Sequence, residues 1–476
     1  MRSIPRPRPA MPAAARQRQR GGVMVMVAIS LTTLLAIVGL AFSAGLSYMV
    51  KSKLNAATDA AALAAARAIS VGINQAEQTA NAKAAAQRFF EANYPTNYLM
   101  SSATLADVGV SFVGSEVTIT VSASATTPLA LFGDFKSGPL SPGVLTETKR
   151  KDLDMVLVLD TSGSLLPQAA QVRSSAITFL NQFNPTLDRV GLVRFAFGSI
   201  VDEPIRPIAR GFDRNAMIAD IKNYQFSGST ASPEGMYAAR DQINSVPTAN
   251  LNRSNLRVIV FFSDGAPNSF GAYLNWNNAS DCKTALGLPI AGTVATDDDG
   301  AGDPYGLFKL DQQYDDIGGS CTPTVTYNRS TYYNLVAKAA SLPDWYNGHN
   351  PANKANDTSL REYPIVTASP RKVTKDVTYA NVNRAARNLV EAMASKSRDE
   401  GIYVFTLGLG ASLKSGTGVD SEKGEDILKC MANSSDAPAR CFNPAKPVGL
   451  YCYAATQTDL TPCFSKLASA ILRISK

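Results

Sequence analysis

Residues 154–164 read DMVLVLDTSGS. Met155 to Leu159 is an unbroken apolar run of strand length, which suits a strand buried on both faces of a parallel sheet. Asp160, Ser162 and Ser164 follow at alternate positions, on the loop leaving the carboxyl end of that strand. Gly163 lets the loop turn tightly. Ligands of open α/β sheets bind outside the carboxyl ends of strands. Three hard oxygen donors gathered there suit a hard divalent cation.

From Asp154 to the C-terminus, strand patterns alternate with helical ones. Strands are predicted at 155–159, 189–195, 257–262 and 402–407, and helices at 167–183, 214–223, 233–245, 382–399 and 458–474. Apolar strands separated by amphipathic helices predict an α/β fold, a doubly wound, mainly parallel sheet with helices on both faces. Two further oxygen donors fall where the first loop needs them. Thr230 sits in FSGSTASPEG just before a helix, and Asp264 ends the strand RVIVFFSD. Five donors from three loops would then meet at one sheet edge.

This set resembles the von Willebrand factor A (vWA) domain and its metal-ion-dependent adhesion site. Asp160, Ser162 and Ser164 match the Asp-x-Ser-x-Ser motif, Thr230 the separate Thr and Asp264 the separate Asp, within DRVGLVRFA and VFFSDGAPN. The resemblance covers about 150–265 and 380–476. It implies a Rossmann-like fold in which Ser162, Ser164 and Thr230 coordinate Mg²⁺ (or Mn²⁺), while Asp160 and Asp264 bind it directly or through water. An open position would take a carboxylate from a protein partner, and Mg²⁺ sites keep such exchangeable positions.

Residues 266–378 do not fit the strand–helix alternation. They hold Trp276, Trp345 and eight of the 17 tyrosines. A structureless loop of that length is unusual, so a folded insertion is expected, rising beside the metal and influencing which partner reaches it. Within it, TDDDGAGD places Asp297, Asp299 and Asp303 around a glycine turn, part of a calcium-loop pattern that lacks the distal Glu. These three are candidates for a second site, for Ca²⁺.

Cys282, Cys321, Cys430, Cys441, Cys452 and Cys463 are even in number and contain no CxxC. They predict disulfides in an oxidising compartment rather than a zinc site. Fifteen pairings exist; Cys282–Cys321, with two bonds among the last four, is the preferred one. GLGASLKSGTG (408–418) lacks Gly-Lys-Ser/Thr and reads as a connection, not a phosphate loop. The one histidine, His349, lies in a Tyr/Asn-rich loop away from any Ser–Asp pattern, so no Ser-His-Asp triad is legible and an enzyme is not expected.

Residues 1–53 hold six arginines, two lysines and no acid, so they carry +8, and the rest of the chain sums to −1, which makes the formal net charge of +7. That basicity follows the positive-inside rule and implies no nucleic-acid surface. Residues 21–50 carry no charge. A membrane helix needs about 20 apolar residues, and a signal peptide core spans only 7–15. The reading is an uncleaved anchor, although Ala41-Phe42-Ser43 is a weak cleavage site. A basic cytoplasmic tail (1–20) precedes it, and the main domain stands in the periplasm or outside. Residues 56–68 contain nine alanines, and a helix is predicted from Lys51 to about 90–93, before Pro95. Alternation at 108–113 and 116–122 predicts a hairpin through Gly114-Ser115.

The arginine-flanked Gly21-Gly22, the apolar helix and LNAATDAAALAAARAI (54–69) resemble TadE/TadG-like proteins of tight-adherence (Flp) pilus assembly. The chain lacks the acidic residue that family members often carry late in the membrane helix. The expected organisation is tail 1–20, membrane helix 21–50, a TadE/TadG-like helix and small β-rich region 51–150, and a vWA domain 151–476. The function implied is a pilus-assembly protein of the bacterial inner membrane that binds pilus components through its metal site. A surface or pilus-displayed adhesin for host or matrix protein, and a non-pilus envelope scaffold, are the alternatives.

Overall fold

The structure, a computed structural model, describes residues 22–69, 75–113, 116–127, 140–151, 153–247, 253–254, 256–297, 300, 302–318, 321, 324–327, 330–333 and 335–474. The chain forms two compact units. One comprises Met1–Ala64, Ala85–Gly109 and Thr120–Glu147, the other Ala65–Ala84, Val110–Ile119 and Thr148–Lys476.

Helix α1 (Gly22–Ala68) is long and apolar enough to cross a membrane, and its large side chains from Val23 to Leu40 are exposed. The uninterrupted helix expected from Lys51 to 90–93 is corrected. α1 ends at Ala68, and α2 (Gln75–Asn93) is a separate helix. Ile69, Val71, Gly72 and Ile73 lie between them. β-branched residues and glycine are weaker helix formers than alanine. A three-stranded sheet follows, in the order β1 (Ser102–Val113), β2 (Glu116–Thr126), β3 (Gly143–Lys151). Val117, Ile119 and Val121 are buried, as their alternation predicts. The expected turn at Gly114-Ser115 lies outside the described residues. From β3, Thr146 Oγ1 donates to Asp59 Oδ1 on α1 at 2.9 Å.

The larger unit is built on a six-stranded sheet. Its elements run β4 (Leu153–Asp160), α3 (Ala169–Leu180), β5 (Arg189–Phe195), β6 (Ser199–Glu203), α4 (Arg214–Asn223), α5 (Ser232–Ser245) and β7 (Leu256–Ser263). The insertion then supplies β8 (Ser269–Ala272), β9 (Asn275–Trp276), β10 (Gly292–Ala295), β11 (Tyr305–Phe308), β12 (Thr324–Tyr327), β13 (Ser330–Tyr333), α6 (Leu335–Lys338) and β14 (Ala339–Ser341). α7 (Tyr379–Asp399), β15 (Tyr403–Leu409), β16 (Gly416–Thr417), β17 (Glu422–Lys423), α8 (Gly424–Ala432), β18 (Tyr451–Ala454) and α9 (Leu460–Ile474) complete it.

The sheet order is β18-β15-β7-β4-β5-β6, all parallel except β6, which runs antiparallel to β5. Every residue of β4 is buried. Val156 and Val158 face one core, with Met236, Ala239 and Ile243 of α5 and Leu389 and Met393 of α7. Met155, Leu157 and Leu159 face the other, with Val172 and Phe179 of α3 and Phe464 and Leu467 of α9. A period-2 strand buried on both sides therefore reads as continuous hydrophobicity. Gly235 lets α5 lie directly on the sheet, because a Cβ there would stand 2.6 Å from the Phe195 ring. The four predicted strands and five predicted helices are present. β6, β18 and α8 went unread because each is short or shows no clear period.

The insertion is folded, as its length demands. β11, β10 and β8 form an antiparallel sheet, β14 pairs with β9, and β12 pairs with β13. Phe270, Val294, Leu307 and Ile365 join the core of α5 and α7. The disulfides are Cys282–Cys321 in the insertion, Cys430–Cys441, and Cys452–Cys463, which ties β18 to α9.

A buried polar latch fastens the insertion to α5. Glu234 is fully buried and accepts from Gly271 N at 2.7 Å and Tyr346 Oη at 2.8 Å, with His349 Nε2 at 2.6 Å from its other oxygen. The His349 ring stacks on Tyr237 at 4.3 Å, and Asp241 and Asp311 line the same pocket. Burial alone would lower the His349 pKa. The Glu234 carboxylate, then Asp241, outweigh it and raise the pKa above 6.5. A raised folded-state pKa stabilises fully below the unfolded value and is lost as pH rises through the folded value. The contribution of this pair to the melting temperature of the full-length protein in detergent is therefore expected to be lost as the pH rises above 6.5. His349→Gln should flatten that pH dependence, and an unchanged dependence in the variant would refute the assignment.

Candidate metal site at the carboxyl edge of the sheet

β4 lies at the point where the chain reverses direction across the sheet. The connection through α3 leads to β5 on one side, and the connection through α4 and α5 leads to β7 on the other. Such a switch point opens a crevice at the carboxyl ends of the strands. The registers Leu159↔Phe262 and Asp160↔Phe195 set the ends of β4, β7 and β5 level.

Asp160 closes β4 and is fully buried. Its Oδ1 accepts from Ser162 N at 2.8 Å and its Oδ2 from Ser263 Oγ at 2.6 Å. Burial pushes its carboxyl up to about 6, against the lowering by the Ser263 and Ser162 hydrogen bonds. Ser162 is buried at the start of a 3-10 turn (Gly163–Gln168). Its Oγ lies 3.2 Å from Ser164 Oγ, which in turn donates to Asp264 Oδ1 at 2.9 Å. Asp264 directly follows β7. Thr230 precedes α5, and its Oγ1 stands 3.5 Å from where a Cβ on Gly265 would lie. Thus Asp160, Ser162, Ser164 and Asp264 form one chain of contacts, with Thr230 beside the residue after Asp264. Two carboxylates and three hydroxyls make an all-oxygen donor set that fits a hard divalent cation.

The second candidate cluster gains no such geometry. Asp297 and Asp303 are exposed, Asp297 Oδ1 accepts from Tyr305 Oη at 3.2 Å, and Asp299 lies outside the described residues. Among the described residues no three His, Cys, Asp or Glu side chains gather into a metal-holding group.

The sequence matches agree with this architecture. Residues 154–299 match the von Willebrand factor type A domain family. Residues 21–68 match the putative Flp pilus-assembly TadE/G-like family. No curated relative matches the chain. Similar solved structures include the pilus adhesin SpaC of Lactobacillus rhamnosus GG, at 12% identity and TM-score 0.36 over 79% of this chain and 34% of that one. This chain therefore spans about a third of SpaC. The vWF domain of the type V pili tip protein Mfa5 from Porphyromonas gingivalis aligns at 14% identity and TM-score 0.35, over 69% and 97% of the two chains. Proximal thread matrix protein 1 of the mussel byssus, solved with a zinc-occupied MIDAS motif, aligns at 11% identity and TM-score 0.31, over 68% and 46%.

Three residues that bear on this candidate site carry no signal of their own in the sequence. Ser263 holds Asp160 Oδ2. Asn268 Oδ1 accepts from Thr230 N at 3.0 Å and from Ser229 Oγ at 2.5 Å. Both lie inside VFFSDGAPN, so their signal was proximity to Asp264. Gln313 lies far along the insertion, where no pattern marks it.

Proposed function

We propose that the protein is a membrane-anchored pilus-assembly protein that binds protein partners through a metal-ion-dependent adhesion site on its vWA domain. The observation that carries this reading is the run of contacts from Asp160 through Ser162 and Ser164 to Asp264 at the carboxyl edge of the sheet. Ser162, Ser164 and Thr230, with Asp160 and Asp264, would hold Mg²⁺ or Mn²⁺. When bound, the ion supplies a Lewis-acidic position for a carboxylate from the partner. The TadE/G-like match at residues 21–68 supports a partner within the pilus-assembly machinery.

The apolar helix near the N-terminus anchors the chain once in the bacterial inner membrane. Six arginines precede its uncharged stretch, which keeps the N-terminus cytoplasmic and the vWA domain periplasmic or extracellular. Disulfide bonds on that side fit an oxidising compartment. The role is binding rather than catalysis. The one histidine is engaged by Glu234 and stacked on Tyr237.

Leu166 stands two residues beyond Ser164 and is 62% exposed. A photo-cross-linker placed at position 166 in cells is expected to yield discrete adducts with pilus-assembly components. Those adducts should disappear in the Asp160→Ala background. Adducts that persist there would overturn the metal-dependent reading, and adducts only with matrix or host proteins would overturn the assembly role.

A further inference from the structure

The segment that follows β11 runs back under the metal-site loops. Ser199 N donates to Leu310 O at 2.8 Å and Phe197 N to Gln313 O at 3.0 Å, so the strap lies against the β5–β6 turn. Gly198 permits that approach, because a Cβ there would stand 2.4 to 2.6 Å from the carbonyl oxygens of Leu310, Lys309 and Gln312. The Gln313 side chain then enters the protein and is buried. Its Nε2 donates to Gln225 O at 2.7 Å, with Thr161 O at 3.3 Å and Ser227 O at 3.5 Å. Arg194 Nη1 donates to its Oε1 at 3.3 Å, which leaves one orientation of the amide consistent with its neighbours.

Thr161 is the residue between Asp160 and Ser162. Gln225 and Ser227 open the loop that leads to Thr230. These two loops already meet through Ser227 N to Thr161 O at 2.9 Å and Gly163 N to Gly228 O at 3.0 Å. We propose that Gln313 is a positioning residue for the metal site: an amide supplied by the insertion that holds the Asp160–Ser164 loop and the Thr230 loop in register. The insertion thus sets the spacing of the donors from below. This inference rests on the metal-site reading proposed above.

Groups that orient metal ligands from behind change metal affinity by about 10–100-fold when removed. In the full-length protein in detergent, Gln313→Met is expected to weaken Mg²⁺ affinity, read by calorimetric titration, by about tenfold or more. It should also speed amide exchange at Gly163 and Ser227, a readout that does not depend on metal. Thr293→Val is the comparison variant. Thr293 is a buried residue of the insertion whose Oγ1 donates to Phe197 O at 2.7 Å in the same turn. It should leave Mg²⁺ affinity unchanged. Gln313→Glu keeps the volume but replaces the donor with an oxygen facing carbonyls, and it covers the case in which the Met variant does not fold; it too should lose Mg²⁺ affinity. Equal losses in Thr293→Val and Gln313→Met, or unchanged affinity in both Gln313 variants, would reduce Gln313 to packing and overturn the proposal. A wild-type protein that takes up no Mg²⁺ would instead overturn the site itself, and with it this role. That outcome is distinct because it appears before any variant is compared.

Discussion

Asp160→Ala is expected to abolish the rise in melting temperature that Mg²⁺ produces in the full-length protein. A ligand that binds only the folded state stabilises it by about 2.7 kcal/mol at a hundredfold excess over its dissociation constant. For a domain of this size that is a shift of several degrees. Asp160 is the fully buried member of the donor set, and its two oxygens arrange Ser162 and Ser263 around it. Without that carboxylate the set keeps one charge, on Asp264, and loses the acceptor that folds the Ser162 amide inward. The metal-free variant should also melt below wild type, because the Ser162 amide loses its acceptor and Ser263 Oγ keeps only the longer contact to Gly265 O at 3.3 Å. The decisive quantity is therefore the increment on adding Mg²⁺ or Mn²⁺, reversed by a chelator. An equal increment in the variant, or none in wild type, would remove the site.

At the other end of the same strand, Asp154→Ala should cost about 3–5 kcal/mol, the range for breaking a buried pair from one side. Asp154 and Arg189 have no exposed side-chain surface, and Arg189 Nη1 lies 3.1 Å from Asp154 Oδ1. The carboxylate also accepts from Ser254 N at 2.8 Å, Ser254 Oγ at 2.9 Å and Arg210 Nη1 at 3.3 Å. It therefore joins the starts of β4, β5 and β7 at the amino edge of the sheet. Truncating it leaves the Arg189 guanidinium buried without the carboxylate that faces it. The main thermal transition should fall by about ten degrees, whereas Asp154→Asn, which keeps an acceptor oxygen, should fall less. A drop of only a degree or two for the alanine variant would mean that the pair is a minor contributor.

How much was legible beforehand depended on which physical signal each element carried. β4, β5, β7 and β15 are apolar runs of strand length, and the helices between them show a helical period, so burial alone announced them. The Asp160–Ser164 motif sits where strand ends and hydroxyls coincide, and Thr230 and Asp264 follow the same logic. β6 and β18 are edge strands of five and four residues, which leave too short a pattern to read. The end of α1 at Ala68 was not legible, because the alanine run that precedes it favours continued helix.

The sequence by itself determined the α/β class, the placing of Asp160, Ser162, Ser164 and Asp264 at strand ends, the apolar N-terminal helix and the Cys282–Cys321 pair. Each follows from local chemistry: hydrophobic period, donor type, length and count. Only the tertiary structure decided that Ser164 meets Asp264 across 100 positions of chain, that Asp154 braces Arg189, and that Glu234 latches the insertion to α5. It also decided that Gln313, from the middle of the insertion, reaches the carbonyls behind the donors. Contacts between residues so far apart in sequence leave no periodic trace. They exist because strand register and helix packing bring separate loops to one edge, and buried polar groups there must find partners.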